Sequence, residues 1–321
     1  MSEYFIKTIE IKNFKCFEDF KAEGFGRVNL IGGKNNVGKT AFMEAVYVNV
    51  HSTNIESMTY VLYWIKIIRN YIELVENEAL DVYDALEEIN SYSSNTNINN
   101  VFYQFYHQDG KKSYVFKTHK EEKISINKKE FSGDFEMLDN IQFIDNYGFT
   151  NEELEKVYEF IQFQDKEKEL DNYIHSFDKN ILKFKIMKDK AYCQTKTKKY
   201  QELSEFGDGL KHWVSVICSL YACENSYLFI DEIDNGIHYT QLDKLWEIIL
   251  TISKQQNVQV FATTHSKECI ESYARVAKKL EDKEIKYIKM SRLKDGQIMA
   301  GVRDYDMLQY TMSDGHEVRG I

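Results

Sequence analysis

The segment 33–40 reads GKNNVGKT and matches the pattern GxxxxGK(S/T) at every fixed position. An apolar run at residues 28–31 precedes it and a helical pattern follows it, which is the context that this phosphate-binding motif requires. Glycines let backbone N–H groups converge on phosphate oxygens, and the helix N-terminus adds a positive dipole end. The motif predicts that Lys39 reaches the β and γ phosphates and that the Thr40 hydroxyl binds Mg²⁺. The predicted nucleotide contacts are Gly33, Asn35, Asn36, Val37, Gly38, Lys39, Thr40 and Ala41.

A second chemical signal is the pair of acids that closes the apolar run at residues 227–230. Asp231 and Glu232 follow this run directly. Adjacent carboxylates beside a core are costly unless they have a partner, and Mg²⁺ is that partner in a nucleotide site. Asp231 is therefore predicted to hold the metal opposite Thr40, and Glu232 to polarise the attacking water.

His265 ends a second apolar run and is the third candidate. The sequence Phe-Ala-Thr-Thr-His-Ser occupies residues 261–266, about one βα unit after the acids. The carboxyl ends of parallel strands form the ligand-binding edge of such a sheet. His265 is therefore predicted to contact the γ-phosphate.

Apolar strands that alternate with helices predict an α/β fold with a mainly parallel sheet. The pattern is clearest after Gly207 and is split by an inserted helical and antiparallel β region. We expect a core lobe at residues 1–51 and 224–321, and an inserted region with a further lobe at residues 52–223. The inserted region is predicted to contain a polar loop at 91–100, a β meander at 101–131, a strand at 141–144, a helical stretch at 151–177 and a hairpin at 181–193.

A heptad seam begins the inserted region. Its apolar positions are Met58, Val61, Ile65, Ile68, Ile72, Val75, Ala79, Val82, Leu86 and Ile89. Two interpretations stay open, a pair of antiparallel helices that covers the core and a short coiled-coil arm or dimer contact.

The composition excludes several classes of protein. The chain has 321 residues, with 51 acidic and 41 basic side chains and a net charge of −10, which excludes a strongly basic nucleic-acid module as a description of the whole chain. No apolar run reaches the ~18 residues of a membrane span, and the N-terminus lacks the core of a signal peptide. Five cysteines without a CxxC pair indicate reduced thiols in a cytoplasmic protein.

With these motifs in this order, the chain resembles the ABC-type ATPases of the SMC, RecF and OLD (overcoming lysogenisation defect) group over nearly its whole length. Residues 11–17, IKNFKCF, look like the N-terminal strand motif of that group. Residues 33–40 match its Walker A motif, Asp231-Glu232 its Walker B motif, and His265 its switch histidine. The resemblance implies an ABC-type P-loop ATPase head that uses ATP and Mg²⁺, with Glu232 and His265 as catalytic residues.

The family signature is expected shortly before Walker B, where residues 204–211 read SEFGDGLK. This segment looks like the GDG variant of OLD-like ATPases, and residues 234–238, DNGIH, occupy the D-loop position. The resemblance implies that Gly207, Asp208, Gly209 and Lys211 contact the γ-phosphate bound to the opposite subunit, in a homodimer or higher homo-oligomer. The bare N-terminus of the helix that begins here is also an anion site in its own right. Neither Gln104 nor Gln142 is assigned as the Q-loop glutamine.

Full-length OLD proteins carry a Toprim nuclease after the ATPase, and the stretch after His265 is too short for an added domain of ordinary size. Asp304 and Asp306 are therefore interpreted as surface acids. The resemblance then points to stand-alone ATPases of antiphage defence, such as the ATPase component of the PARIS system. These act with a separately encoded effector, here suspected to be a Toprim-type nuclease.

Two alternatives to the antiphage hypothesis remain open. One is a RecF-like DNA-repair ATPase whose output is DNA binding, and the other is a nucleotide-gated scaffold with negligible turnover. Lysines cluster at residues 179–199, and lysines and an arginine cluster at 278–294. These clusters are interpreted either as solvated faces or as a DNA track.

Overall fold

A six-stranded sheet carries the phosphate loop in the computed structural model. The structure describes residues 5–53, 55–74, 86, 89, 91–108, 111–117, 123–126, 138–146, 148–197 and 199–313. The strands of the main sheet lie in the order β15 (Ile298–Arg303), β14 (Ile285–Arg292), β3 (Val28–Gly32), β13 (Gln259–Thr264), β12 (Tyr227–Ile230) and β8 (Ile141–Ile144). Neighbouring strands from β14 to β8 are parallel, and β15 is antiparallel to β14. The predicted α/β class with a mainly parallel core is therefore confirmed.

Helices connect these strands and cover both faces of the sheet. The described helices are α1 (Lys39–Val50), α2 (Ile55–Leu74), α3 (Asn151–Phe163), α4 (Glu167–Phe177), α5 (Asp208–Ala222), α6 (Leu242–Gln255), α7 (Lys267–Leu280) and α8 (Tyr305–Ser313). Short 3-10 turns lie at His51–Thr53, Leu203–Phe206 and Tyr239–Gln241. The first helix lies on one face of the sheet, and α3, α5, α6 and α7 lie on the other.

Burial of both faces explains why the core strands are continuous apolar runs. Along β12, Leu228 and Ile230 enter one hydrophobic cluster, and Phe229 enters the other together with α1. Phe143, Phe229 and Phe261 are aligned in register on adjacent strands. Their rings stack with centroids 6.1 and 5.5 Å apart. This aromatic row fixes the register of the three strands whose ends carry the predicted site.

A second six-stranded sheet is antiparallel. Its order is β2 (Phe17–Glu23), β1 (Thr8–Phe14), β4 (Ser91–Thr96), β5 (Asn100–Gln108), β6 (Lys111–Lys117) and β7 (Lys123–Ile126). The last three strands confirm the predicted meander, and residues 109–110, between β5 and β6, lie outside the described residues. N-terminal strands thus pair with strands of the predicted insertion, while β8 lies at the edge of the main sheet. The division of the chain into two lobes stays a prediction.

The polar loop predicted at residues 91–100 is wrong, because residues 91–96 form β4. This strand pairs with β1 on one side and β5 on the other. Its buried hydroxyls meet a buried amide: Asn49 Nδ2 donates to Ser94 Oγ at 2.8 Å, and Thr96 Oγ1 donates to Asn49 Oδ1 at 3.2 Å. The strand lacks the apolar alternation expected of a strand because hydrogen bonds to Asn49 satisfy polar side chains at two of its three inward positions.

The helical stretch predicted at residues 151–177 is confirmed, except that a break at residues 164–166 divides it into two helices, α3 and α4. A Thr150–Glu153 capping box begins α3, and Asp165 lies between the helices with a left-handed φ of 53°. The hairpin predicted next is confirmed by β9 (Ile181–Met187) and β10 (Lys190–Thr195), to which β11 (Tyr200–Glu202) adds a third strand. Positive φ angles at Lys188 and Asp189 give the tight two-residue turn that such hairpins favour.

The heptad seam is described in part. Met58, Val61 and Ile65 of α2 are buried in the same hydrophobic cluster as α1, and Leu86 is buried there too. These positions favour the interpretation in which the seam covers the core. The side chains of Ile68 and Ile72, and residues Val75, Ala79 and Val82, lie outside what the structure describes. Within the described part of the chain, no helix has the length and apolar character needed to cross a bilayer.

Candidate functional site

The phosphate loop joins β3 to α1 at the carboxyl edge of the main sheet. Gly38 has a φ of 87°, and a Cβ atom there would lie 2.8 Å from Cys16 Sγ. The tip of the β1–β2 hairpin therefore packs directly against the loop. Asn36 has a φ of 60°, in the left-handed region that asparagine tolerates better than most residues. Glycine and asparagine thus stand where the backbone path of the loop needs them.

Lys39 extends from the first turn of α1 back over the loop. Its Nζ donates to the carbonyl oxygens of Gly33 at 3.1 Å and Lys34 at 2.9 Å. The same Nζ lies 3.1 Å from Nδ1 of His265. Burial lowers the pKa of Lys39 to about 8, although the charges of Asp231 and Glu232 act in the opposite direction. The ammonium group is thus held in the loop, with its charge only partly compensated.

Asp231 lies at the end of β12, directly across from Thr40. Thr40 Oγ1 donates to Asp231 Oδ1 at 3.1 Å, and Thr263 Oγ1 donates to the same oxygen at 2.6 Å. The hydroxyl of Thr263 also accepts the backbone N–H of Glu232 at 2.8 Å. One hydroxyl at the end of β13 therefore fixes both acidic residues.

Glu232 has a left-handed φ of 50°, which is unusual for a glutamate. Its Oε1 lies 3.5 Å from Nε2 of His265, and both side chains are partly exposed, at 42% and 37%. The histidine follows β13, and its two ring nitrogens face Lys39 on one side and Glu232 on the other. Strained backbone that positions polar groups in this way is typical of functional sites.

The pair of oxygens at Thr40 and Asp231 fits a magnesium ion. Two adjacent ligands of an octahedral ion at about 2.1 Å lie about 3 Å apart, and Mg²⁺ prefers one or two protein oxygens together with phosphates and water. The 3.1 Å separation of Thr40 Oγ1 and Asp231 Oδ1 agrees with this arrangement. Among the described residues, no group of three or more His, Cys, Asp or Glu side chains could hold a metal by itself.

The predicted signature lies at the start of α5. Gly207 and Asp208 are exposed, whereas Gly209 is buried against Gly236 of the predicted D-loop. A Cβ atom on Gly209 would clash with the Gly236 carbonyl oxygen. The D-loop is tied in turn to β13, because Thr264 Oγ1 donates to Asp234 Oδ1 at 2.6 Å. Lys211 is half-buried one turn into the helix.

The structure thus gathers Lys39, Thr40, Asp231, Glu232 and His265 at one edge, and their roles stay predictions. Thr263 was missed, although its hydroxyl precedes His265 by two positions at a strand end.

Gln142 Nε2 donates to the Asp139 carbonyl at 2.7 Å, and Gln104 accepts from the Tyr106 hydroxyl at 2.5 Å. Asp304 and Asp306 are exposed, and Asp304 Oδ1 accepts the N–H of Met307 in the first turn of α8.

Comparisons with known proteins show similarity in sequence and in fold. A Helicobacter pylori protein named ATP/GTP phosphatase is 28% identical over 322 residues, covering 83% of this chain and 86% of the relative. An SMC head crystallised with the C-terminal winged-helix domain of ScpA has a TM-score of 0.56 at 12% identity, covering 94% of this chain and 99% of the other. An SMC head with an extended coiled coil, bound to the C-terminal domain of ScpA from Pyrococcus furiosus, has a TM-score of 0.55 at 12% identity, covering 97% and 99%.

These solved structures show an SMC-head-like P-loop ATPase fold. A family model described as "AAA domain, putative AbiEii toxin, Type IV TA system" matches residues 28–271, from the strand before the phosphate loop to the helix after His265. The matched span includes every residue gathered at the sheet edge. The chain therefore belongs to the AAA_21 family of P-loop domains.

Proposed function

We propose that this chain is an ATPase that closes as a head dimer on ATP and controls a separately encoded effector in antiphage defence. The observation that supports it most directly is the convergence of Lys39, Thr40, Asp231, Glu232 and His265 at the carboxyl edge of one sheet. Phosphate loop, metal ligands and acid–base groups are the parts that phosphoryl transfer to water requires. The name of the Helicobacter pylori relative, ATP/GTP phosphatase, supports the same reaction.

In the proposed reaction, each group acts on a defined part of the triphosphate. Lys39 exchanges its carbonyl partners for the β and γ phosphate oxygens. Thr40 and Asp231 would hold Mg²⁺, which when bound would neutralise the charge that develops on the phosphates. Glu232 accepts a proton from the attacking water. His265, whose Nε2 lies 3.5 Å from Glu232 Oε1, orients the Glu232 carboxylate and contacts the γ-phosphate.

A pair of variants tests this chemistry. Glu232→Gln keeps the shape of the side chain but cannot accept a proton, so ATP binding should persist while turnover falls by ~10²-fold or more. Lys39→Ala should instead lose ATP binding. Turnover near the wild-type rate in the Glu232→Gln protein would remove Glu232 from this role. An absence of turnover in the wild-type protein, with tight ATP binding, would favour the nucleotide-gated scaffold.

The composite dimer site is supported by the exposed start of α5. Gly207 and Asp208 present a helix N-terminus to solvent, and such an end attracts phosphate. In Asp208→Trp the large side chain should cover this helix N-terminus and so block turnover. The fold should not be disturbed, because position 208 is exposed. Mixing this variant with Lys39→Ala provides the decisive measurement. If the site is composite, the intact phosphate loop of the Asp208→Trp subunit faces the intact signature of the Lys39→Ala subunit in a mixed dimer, so activity returns on mixing. If each monomer is self-sufficient, mixing restores no activity.

A protein effector is favoured over DNA as the recipient of the conformational change. The net charge of −10 opposes non-specific DNA affinity, even though Lys183 and Lys185 are exposed on β9. Affinity purification from the native host, with and without phage, should recover an effector whose binding depends on the nucleotide state. Tight DNA binding that weakens steeply with salt, with no co-purifying protein, would instead support the RecF-like alternative.

A further inference from the structure

A cavity of about 530 Å³ lies beside the phosphate loop, on the side away from the acidic residues. Its lining is formed by residues 34–37 of the loop and by Met290, Ser291 and Arg292 at the end of β14. Small-molecule pockets commonly measure ~300–1,000 Å³, so the space suits a nucleoside. The cavity and the loop form one continuous surface, because Gly33 packs against the backbone of Met290.

The order of the strands gives the direction in which a nucleotide must lie. Glu232 and His265 follow β12 and β13, which lie on one side of β3, whereas β14 lies on the other side. With the predicted roles of Glu232 and Lys39, the phosphate that reacts lies between these two side chains. The remaining phosphates therefore follow the loop, and the nucleoside extends toward β14 and the cavity.

The chemistry of the lining is rich in donors. Arg292 donates from Nη2 to the carbonyl oxygen of Asn36 at 3.2 Å, which holds the guanidinium at the cavity. Lys34 adds a second cation, and none of the described residues that line the cavity is acidic. An arginine fork pairs with adjacent acceptors, which guanine offers as N7 and O6, while adenine offers N7 beside an amino donor. The planar guanidinium also stacks on an aromatic ring.

We propose that this cavity is a purine nucleoside subsite in which Arg292 reads the N7 edge of the base and contributes more to guanine than to adenine. The proposal rests on the proposed function, because the triphosphate direction comes from the predicted roles of Lys39 and Glu232. It assigns the base-selecting role to a residue outside the phosphate loop motif. A loop motif alone cannot select the base, because it contacts phosphates.

Equilibrium binding of GTP, ATP and inorganic tripolyphosphate, each with Mg²⁺, tests this subsite. The titrations use the Glu232→Gln background, so that the ligands are not consumed. Arg292→Ala should weaken GTP binding about tenfold or more, through loss of a bidentate pair, and ATP binding about threefold, through loss of a single hydrogen bond. Tripolyphosphate has no base, so its affinity should be unchanged. Lys294→Ala, an exposed lysine in the following turn, is the charge-matched control and should change none of the three.

A base analogue separates reading of the base from support of the loop. In the Arg292-containing protein, 7-deaza-GTP should bind more weakly than GTP, and Arg292→Ala should abolish that difference. Equal weakening of tripolyphosphate and both nucleotides would mean that Arg292 only supports the loop through Asn36, and would overturn the proposal. Unchanged GTP binding in Arg292→Ala would also overturn it. If the parent protein binds neither nucleotide nor tripolyphosphate, the proposed function itself is wrong, and the subsite proposal is then wrong as well.

Discussion

At the scale of single residues, Thr263 connects the two acidic residues of the candidate site. Its hydroxyl donates to Asp231 and accepts from the backbone of Glu232, at 2.6 and 2.8 Å. Because the hydroxyl is buried, neither contact competes with water. Both acidic residues are therefore positioned by a neighbour that contacts no predicted substrate atom.

Thr263→Val tests this positioning role, since valine keeps the shape and removes the oxygen. We expect turnover to fall about 10- to 100-fold, because small displacements of reacting groups have effects of that size. Nucleotide affinity should change far less, since Lys39 and the loop are untouched. Thr263→Ser restores the hydroxyl and should restore most of the rate. A Thr263→Ser protein as slow as Thr263→Val would show that packing matters here, and the hydrogen bonds do not.

Lys39 gives the site a dependence on pH. Burial lowers its pKa to about 8 in the free chain, and a bound phosphate must raise it again, because the anion favours the ammonium form. Binding therefore takes up a proton above that pH. We expect nucleotide affinity to be constant up to about pH 8 and then to fall, by at most about tenfold per pH unit. Calorimetric titrations in two buffers with different heats of ionisation measure the proton uptake directly, and a flat profile to about pH 9.5 would contradict it.

At the scale of elements, the contact between α5 and the predicted D-loop joins the predicted signature to the segment that follows Asp231 and Glu232. Gly209 and Gly236 meet backbone to backbone, and Gly236 has a φ of 69°. Gly209 is therefore needed for close approach within its own chain, apart from any role toward a second subunit. A substitution here reports on the fold of the signature and not only on dimer formation.

Gly209→Ala should lower the free energy of unfolding by about 1–3 kcal/mol, the usual cost of overpacking, because the opposing atom is backbone and cannot rotate away. Turnover should fall as well, since the D-loop must shift. Thermal unfolding and steady-state rates on the same sample measure both effects. Gly301→Ala is the control, because its Cβ would only reach ordinary contact with the Lys289 carbonyl. Equal stability of the two variants would contradict the close-approach argument.

Elements were predictable where one physical signal dominated. The core strands have both faces buried and appear as apolar runs, so β3, β12 and β13 followed from the sequence. Strand β4 did not, because two of its three buried side chains, Ser94 and Thr96, are hydroxyls whose partner, Asn49, lies far away in the sequence. The break between α3 and α4 depends on a single left-handed residue, Asp165, in an otherwise helical pattern.

The site shows the same division. Lys39, Thr40, Asp231 and Glu232 belong to contiguous motifs, so their types and order sufficed to predict that they meet at one sheet edge, and their roles stay predictions. Thr263 and Arg292 instead have hydrogen bonds to residues of other strands and loops, namely Asp231 and Asn36. Such contacts depend on strand order and register, which no local pattern contains.

At the scale of the whole molecule, two sheets meet at the phosphate loop. The antiparallel sheet contacts the main sheet through β2 and β15, and its hairpin tip reaches Gly38. Helices on both faces bury polar groups as well as apolar ones. Two buried histidines, His51 after α1 and His212 on α5, have pKa values that burial lowers to about 4.

These histidines should make the fold sensitive to mild acid. In the unfolded chain each titrates near pH ~6.5, so below that pH the unfolded state binds more protons than the folded state. Their contribution is full above about pH 6.5 and is lost as the pH falls toward about 4, at up to ~1.4 kcal/mol per pH unit for each histidine. Denaturant titrations at several pH values measure this slope. His212→Gln should reduce it, and an unchanged slope in both His212→Gln and His51→Gln would contradict the assignment.

The strand that carries the phosphate loop has both of its neighbours in the last third of the chain. Val28 pairs with Val260 on one side and with Ile285 on the other. During synthesis, β3 therefore leaves the ribosome long before either partner exists, and non-local pairing of this kind is slow to form. A nascent chain that ends before β13 has the complete motif at residues 33–40 but neither of the strands that pair with β3. Affinity for nucleotide should thus appear only after β13 and β14 have been synthesised.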